Sequence, residues 1–275
     1  VGHYSGLIVR ADQLGVRGMR VLYFGTSGFS YADWVGCFYP PNVRRQDWLV
    51  YYAREFNAVE LNSTFYALPR VSVIESMINK TGEGFLFSVK APQKLTHERQ
   101  PEKVDFAAFV EVLHPLLEVG KLGCVLAQFP YSFACNRVNR DYLAVFRGQL
   151  GDLPVVVEFR NAGWLREEVF EWLRRHNLGF CCVDEPRLPG LLPPLARVTS
   201  DIGYVRFHGR NAAKWWQHEH SYERYDYTYS AEELQEWVPK IGIIASQAKT
   251  TFVFANNHWR GQAVNTIRQL RLMFD

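Results

Sequence analysis

The chain has 275 residues, 48% of them hydrophobic and 21% charged, and its 31 Lys and Arg against 28 Asp and Glu leave a formal net charge of +3. That length suffices for one large core and lies in the range of a single (β/α) barrel, so no second domain is required. The basic excess is too small for a dedicated nucleic-acid coat; it permits an anionic partner without demanding one.

Residues 1–18 contain only the short apolar stretch Leu7–Val9, too little for a signal-peptide core or a membrane span. A cytoplasmic protein with no membrane association is expected. Met19 stands directly before the first strand-like run, so residues 1–18 read as an extension outside the fold and residues 19–275 as one barrel domain. The five cysteines, Cys37, Cys124, Cys135, Cys181 and Cys182, show no C-x-x-C spacing and suit the thiols of a reducing compartment.

Along the chain, short apolar, β-branched or aromatic runs alternate with segments of helical period. Strands are predicted at 21–27, 58–63, 85–90, 124–129, 155–160, 180–184, 203–208 and 251–256, and helices at 45–57, 70–81, 102–119, 137–150, 165–177, 231–248 and 261–273. Eight strands in βα order close a TIM-type (β/α)8 barrel. The sixth and seventh strands are joined by EPRLPGLLPPLARVTSD, whose prolines would each remove a helix hydrogen bond, so the helix there is missing or degenerate. An open doubly wound sheet would need a glycine-rich phosphate turn after strand one, and TSGFSY does not supply it.

A barrel of this kind carries its site at the carboxyl ends of its strands. The polar residues there are Thr26, Ser27, Glu60, Asn62, Lys90, Gln128, Glu158, Arg160, Asp184, Arg206, His208, Asn256 and Asn257. Strand alternation puts Glu60 with Asn62, Glu158 with Arg160, and Arg206 with His208 on common sides. Three carboxylates (Glu60, Glu158, Asp184) balance three cations (Lys90, Arg160, Arg206), either as a ligand pocket or as structural pairs such as Glu60–Lys90 and Glu158–Arg206. Cations within the ring disfavour a metal, and no cofactor is predicted; Glu60, Glu158, Asp184, His97 and His208 would be the ligands of a divalent ion. His218 and His220 read as part of a solvated loop.

The loops after strands seven and eight, HGRNAAKWW and NNHWRGQA, offer Gly209, Arg210, Lys214, Asn257, Arg260 and Gly261 to a phosphate. Phe29, Tyr31, Trp34, Tyr66, Trp164, Trp215, Trp216 and Trp259 lie near the same rim and supply stacking faces or a hydrophobic lid. Tyr222, Tyr225, Tyr227 and Tyr229 make the loop after strand seven a lid candidate.

At these residues the chain resembles the domain-of-unknown-function 72 family, also called YecE-like. The motifs are GTSGFSYADWVGCFYP, YYAREFNAVELNSTFYALP, FSVKAPQKLTH, LAQFPYSF, VEFRNAGW, YVRFHGR and FANNHWRGQAVNTIRQL, and they run along nearly the whole chain from about residue 22. The resemblance implies a TIM-type barrel with its site in these segments, and it implies no particular reaction. Phe29 stands where a tryptophan is common in that family.

The leading expectation is an enzyme, hydrolase-like, acting on a phosphorylated or nucleic-acid-derived substrate. His208 and Glu158 would serve as general acid and base, Arg160, Arg206 and Lys90 would neutralise charge, and Glu60 with Asp184 would orient them. Thr26, Ser27, Tyr31, Asn62, His97, Gln128, Trp164, Arg210, Asn256 and Asn257 would complete the substrate contacts. Two other classes remain open: a non-catalytic nucleic-acid-binding barrel with a Trp215–Trp216 stacking platform, and a carbohydrate-active barrel using Glu60 and Glu158 as its carboxylate pair.

Overall fold

A computed structural model describes residues 7–9 and 20–274. Eight parallel strands form the barrel: β2 (Arg20–Thr26), β3 (Ala58–Leu61), β4 (Leu86–Lys90), β5 (Leu122–Gln128), β6 (Val155–Glu158), β7 (Leu178–Asp184), β8 (Ile202–Phe207) and β9 (Thr250–Ala255). They correspond in order to the eight predicted strands. An additional strand, β1 (Leu7–Val9), pairs antiparallel with β2. The rest of the predicted extension, residues 1–6 and 10–18, lies outside the described residues.

Around the barrel stand α1 (Trp48–Tyr52), α2 (Val71–Asn79), α3 (Lys103–Glu118), α4 (Arg137–Gln149), α5 (Glu167–Arg175), α6 (Ala231–Gln235), α7 (Val238–Gln247) and α8 (Gln262–Leu272). The 185–201 connection between β7 and β8 holds no helix, as its prolines require. The single helix predicted over 231–248 is two helices. Pro239 has no N–H to return to the turn before it, so the chain breaks there and restarts.

The strand order β2-β9-β8-β7-β6-β5-β4-β3 leaves one seam, between β2 and β3, where the ladder reduces to a bridge between Ser27 and Glu60. Gly28 N–H donates to the Glu60 carbonyl at 2.8 Å. Side chains finish the closure. Asn57 accepts from Phe24 N–H (2.7 Å) and donates to the Leu22 carbonyl (3.1 Å), while the Tyr52 hydroxyl accepts from Thr26 N–H (2.7 Å) and donates to the Ala58 carbonyl (3.1 Å). Close approach here needs glycine at position 25, because a Cβ would fall 2.0 Å from the Ala58 carbonyl oxygen.

The Tyr52 hydroxyl is fully buried, so its removal leaves backbone groups on both sides of the seam unsatisfied. Tyr52→Phe is expected to lower unfolding free energy by about 1–3 kcal/mol in urea titrations. Tyr51→Phe, whose hydroxyl has no hydrogen bond among the described residues, should stay within about 0.5 kcal/mol of the parent.

Candidate functional site

In the lumen at the carboxyl ends, Arg206 is 1% exposed and lies between two carboxylates. Its guanidinium donates to Glu158 Oε2 at 2.5 Å and to Glu60 Oε1 at 2.6 Å, with Ser27 Oγ at 3.4 Å. The Tyr204 hydroxyl takes the other Glu60 oxygen at 2.7 Å and is itself 2.7 Å from Ser88 Oγ. The pairing thus differs from one of the two sequence alternatives: Glu60 is bound to Arg206, and no ion pair joins it to Lys90 among the described residues. The Glu158–Arg206 pair is present.

Arg160, two residues beyond Glu158 on the same side, forms the next layer. Its Nε is 2.6 Å from Glu158 Oε1, it donates to Glu185 Oε2 at 2.9 Å, and it lies 3.4 Å from His208 Nδ1. Asn256 Nδ2 is 3.1 Å from that same ring nitrogen, and His208 Nε2 is 3.2 Å from Glu158 Oε1. Burial opposes ionisation of Glu158, but Arg160, Arg206 and His208 outweigh it and hold the carboxyl well below its usual range. Burial first, and Arg160 second, push His208 well down, so its imidazole is neutral.

Asp184 is not in this ring. It is the neighbour of Glu185 on an alternating strand, and it points to the helix side, where Arg210 binds both oxygens at 2.8 Å and Tyr229 and Trp237 donate at 2.7 Å each. Glu185 takes the lumen position instead, with the Leu192 N–H as a second donor at 2.9 Å. Parity with Cys181, whose thiol meets Glu158, marks Glu185 as the lumen residue. Burial pushes its carboxyl up to about 7 against the pull of Arg160.

Other expected contacts divide in the same way. Thr26 and Asn257 face outward, Thr26 Oγ1 to the Gly28 carbonyl (2.6 Å) and Asn257 to the Tyr227 carbonyl (2.9 Å). Tyr31 donates to the Ser27 carbonyl and stacks on His258, while Trp164 is buried against Phe133 and Phe159 as a packed lid. Asn62 has a buried, unpartnered Oδ1 but does not line the pocket described next. Of the three cations expected to hold phosphate after strands seven and eight, two are engaged by carboxylates. Arg210 binds Asp184, Glu233 and Glu236 and Lys214 binds Glu223, whereas the Arg260 guanidinium lies over the Trp259 ring and only its backbone N–H donates to Asp33.

An open pocket of about 440 Å³ lies instead over β4, β5 and β6. Lys90, Gln128 and Arg160 come from strand ends, Phe65, Tyr66 and His97 from the loops after β3 and β4, and Trp215, Trp216, Arg224 and Tyr225 from the long loop after β8. No carboxylate lines it. Arg160 and Arg224 both stack on Trp215, at 5.6 and 5.4 Å, and Arg224 Nε is buried without a partner. Trp215 is itself buried, so the predicted Trp215–Trp216 platform reduces to Trp216, which joins Tyr66 and Tyr131 as exposed aromatics at the rim. In the tyrosine-rich loop Tyr225 faces the pocket, whereas Tyr227 and Tyr229 are anchored to Glu233 and Asp184.

Burial, then Arg206, lower Lys90 to about 7, with Glu158 and Glu60 pulling the other way. Burial, then Lys90, lower His97 to about 4. The five residues weighed as metal ligands do not converge, since Glu60 and Glu158 are committed to arginines and Asp184 faces outward. The ligand-type trio Glu219, His220 and Glu223 lies on the polar loop, with Glu219 and His220 exposed and Glu223 bound to Lys214.

Comparison with known proteins agrees with this architecture. The family model described as "Protein of unknown function DUF72" matches residues 23–275. The chain belongs to the DUF72 family. It is similar to UPF0759 protein YunF of Bacillus subtilis, 33% identical over 271 residues that cover 93% of this chain and 95% of that protein. A DUF72 protein of Thermotoga maritima is 41% identical with a TM-score of 0.85, covering 92% of this chain and 98% of that one. A DUF72 protein of Enterococcus faecalis is 26% identical with a TM-score of 0.83, covering 92% and 95%. Among the described residues no helix is long and apolar enough to cross a membrane.

Glu158 links both lumen arginines, so Glu158→Gln should cost about 3–5 kcal/mol of unfolding free energy by leaving buried guanidinium charge uncompensated. Because its folded-state pKa is depressed, its stabilisation is complete above the usual carboxylate pKa and is lost as pH falls below that range. Unfolding titrations across the acid range should therefore show a shallower pH slope in Glu158→Gln than in the parent.

Proposed function

We propose that this DUF72 barrel binds a phosphorylated or nucleic-acid-derived ligand in the pocket over β4–β6 and acts on it there. The observation that supports this most strongly is the lining: three cations, Lys90, Arg160 and Arg224, with no carboxylate and with exposed aromatic rings around the mouth. Arg160 and Arg224 both lie over the Trp215 ring, and Arg224, with no carboxylate partner among the described residues, offers its guanidinium fork for bidentate contact with phosphate oxygens. A base or sugar ring would stack on Tyr66, Tyr131 or Trp216.

Within this reading, His208 and Glu158 act at one remove. Both are fully buried, neither lines the pocket, and both contact Arg160, which does. They are positioning residues for that guanidinium. Proton transfer to a bound ligand, as hydrolysis would require, falls to Lys90 and His97, the titratable groups in the wall besides the tyrosines and arginines. A carbohydrate mechanism is disfavoured because its two carboxylates, Glu60 and Glu158, are both bound by Arg206. We place the protein in a reducing, cytoplasmic compartment, a reading that its five free thiols support.

Arg224 has no carboxylate partner among the described residues, so its loss leaves no buried charge exposed, unlike that of Arg160. Calorimetric titration with sulfate, which does not titrate near neutrality, is expected to show binding that weakens about ten- to hundredfold in Arg224→Ala. Affinity should also fall as pH rises through 7, where Lys90 loses its charge and Glu185 beside Arg160 gains one, and Lys90→Met should reduce that dependence to the part that Glu185 carries. Unchanged affinity in Arg224→Ala would refute the anion pocket.

A further inference from the structure

We propose that Lys90 is a covalent capture point for a carbonyl group, and hence that the ligand class is a phosphorylated aldehyde or ketone. This rests on the anion-binding reading of the same pocket. Each lumen arginine is matched by two carboxylates, Arg206 by Glu60 and Glu158, Arg160 by Glu158 and Glu185. Lys90 has none. Among the described residues its ammonium has neither an ion pair nor a hydrogen bond, and it lies 4.2 Å from the centroid of the Phe65 ring, inside the open pocket. An ammonium there gains only a cation–π contact, whereas a neutral amine presents a lone pair to whatever occupies the cavity.

The surroundings favour that form. Burial is the largest influence, Arg206 and to a lesser degree Arg160 repel a proton on it, and together they outweigh the pull of Glu158 and Glu60, lowering the amine to about 7. Carbonyl-capturing lysines are activated in this way, by desolvation and a neighbouring cation. His97 is the nearby proton carrier. Its ring packs edge-on against the same Phe65, Nδ1 is 3.0 Å from Thr96 Oγ1, and Nε2 has no protein partner among the described residues.

The step balances without an outside oxidant or reductant. Lys90 Nζ attacks the carbonyl carbon, the C=O π pair moves to oxygen, and a proton passes from nitrogen to that oxygen to give a carbinolamine. Its second N–H proton then leaves with the hydroxyl as water while the C=N bond forms. Arg160 and Arg224 would hold the phosphate of the same molecule, a division of labour that fits a cavity of about 440 Å³.

The test uses pyridoxal 5′-phosphate as the probe on the full chain near neutral pH, followed by borohydride reduction and peptide mass spectrometry. Lys90 should be labelled at least about tenfold faster than any other lysine, because the exposed ones are almost wholly protonated there. Inorganic phosphate in excess should slow that labelling, and pyridoxal lacking the phosphate should react more slowly. Lys90→Met should lose the fast phase and still bind sulfate through its arginines. Label distributed over the exposed lysines with Lys90 no faster overturns the capture role, and sulfate binding in the same sample would leave the anion pocket standing. Fast labelling of Lys90 that phosphate does not slow supports capture and overturns the pocket as the phosphate seat.

Discussion

A guanidinium with no water around it has to find carboxylates, and Arg206 finds two. It lies across the barrel lumen from β8, 1% exposed, joined to Glu60 on β3 and Glu158 on β6. Those three strands are not neighbours in the sheet, so the ion pairs tie opposite walls of the barrel together. Removing any one member would leave charge stranded in a medium that solvates it poorly, which is why the triad is held as a unit.

The remaining polar architecture follows from that commitment. With one oxygen of Glu158 taken by Arg206, its other oxygen turns to Arg160, and Arg160 in turn reaches Glu185 and the neutral His208. Each link uses up a carboxylate. By the pocket wall none is left, and Lys90 and Arg224 face the cavity without counter-charge. The cations at the mouth thus stand over a layer whose carboxylates are all engaged by Arg206 and Arg160, and in the proposed reading an incoming anion would complete the series.

Much of this was legible from residue order. The eight strands, the helix lost to prolines before β8, and the lumen positions of Glu60, Glu158, Arg160, Arg206 and His208 all follow from period and punctuation. Asp184 was misplaced because Asp-Glu at a strand end offers two acidic residues, and only parity with Cys181 distinguishes the lumen side. The flank proposed for the pocket was harder to read. Arg210 and Lys214 look like phosphate ligands in a linear sequence, and only tertiary contacts with Glu233, Glu236 and Glu223 show them engaged. Arg224 carried no local signal, since it lies in mid-loop and reaches the site because a long connection folds back across the barrel mouth. Closure of the β2–β3 seam by Asn57 and Tyr52 was equally invisible, because side chains there substitute for backbone pairing.

The decisive property of the proposed site is where an anion binds. Tungstate, a heavy mimic of phosphate, can be soaked into crystals of the protein and located by its anomalous scattering. The predicted peak lies among Lys90, Arg160 and Arg224, over β4–β6. A peak at the Gly209–Arg210 or Arg260–Gly261 loops instead, or none in the pocket at saturating tungstate, would contradict it.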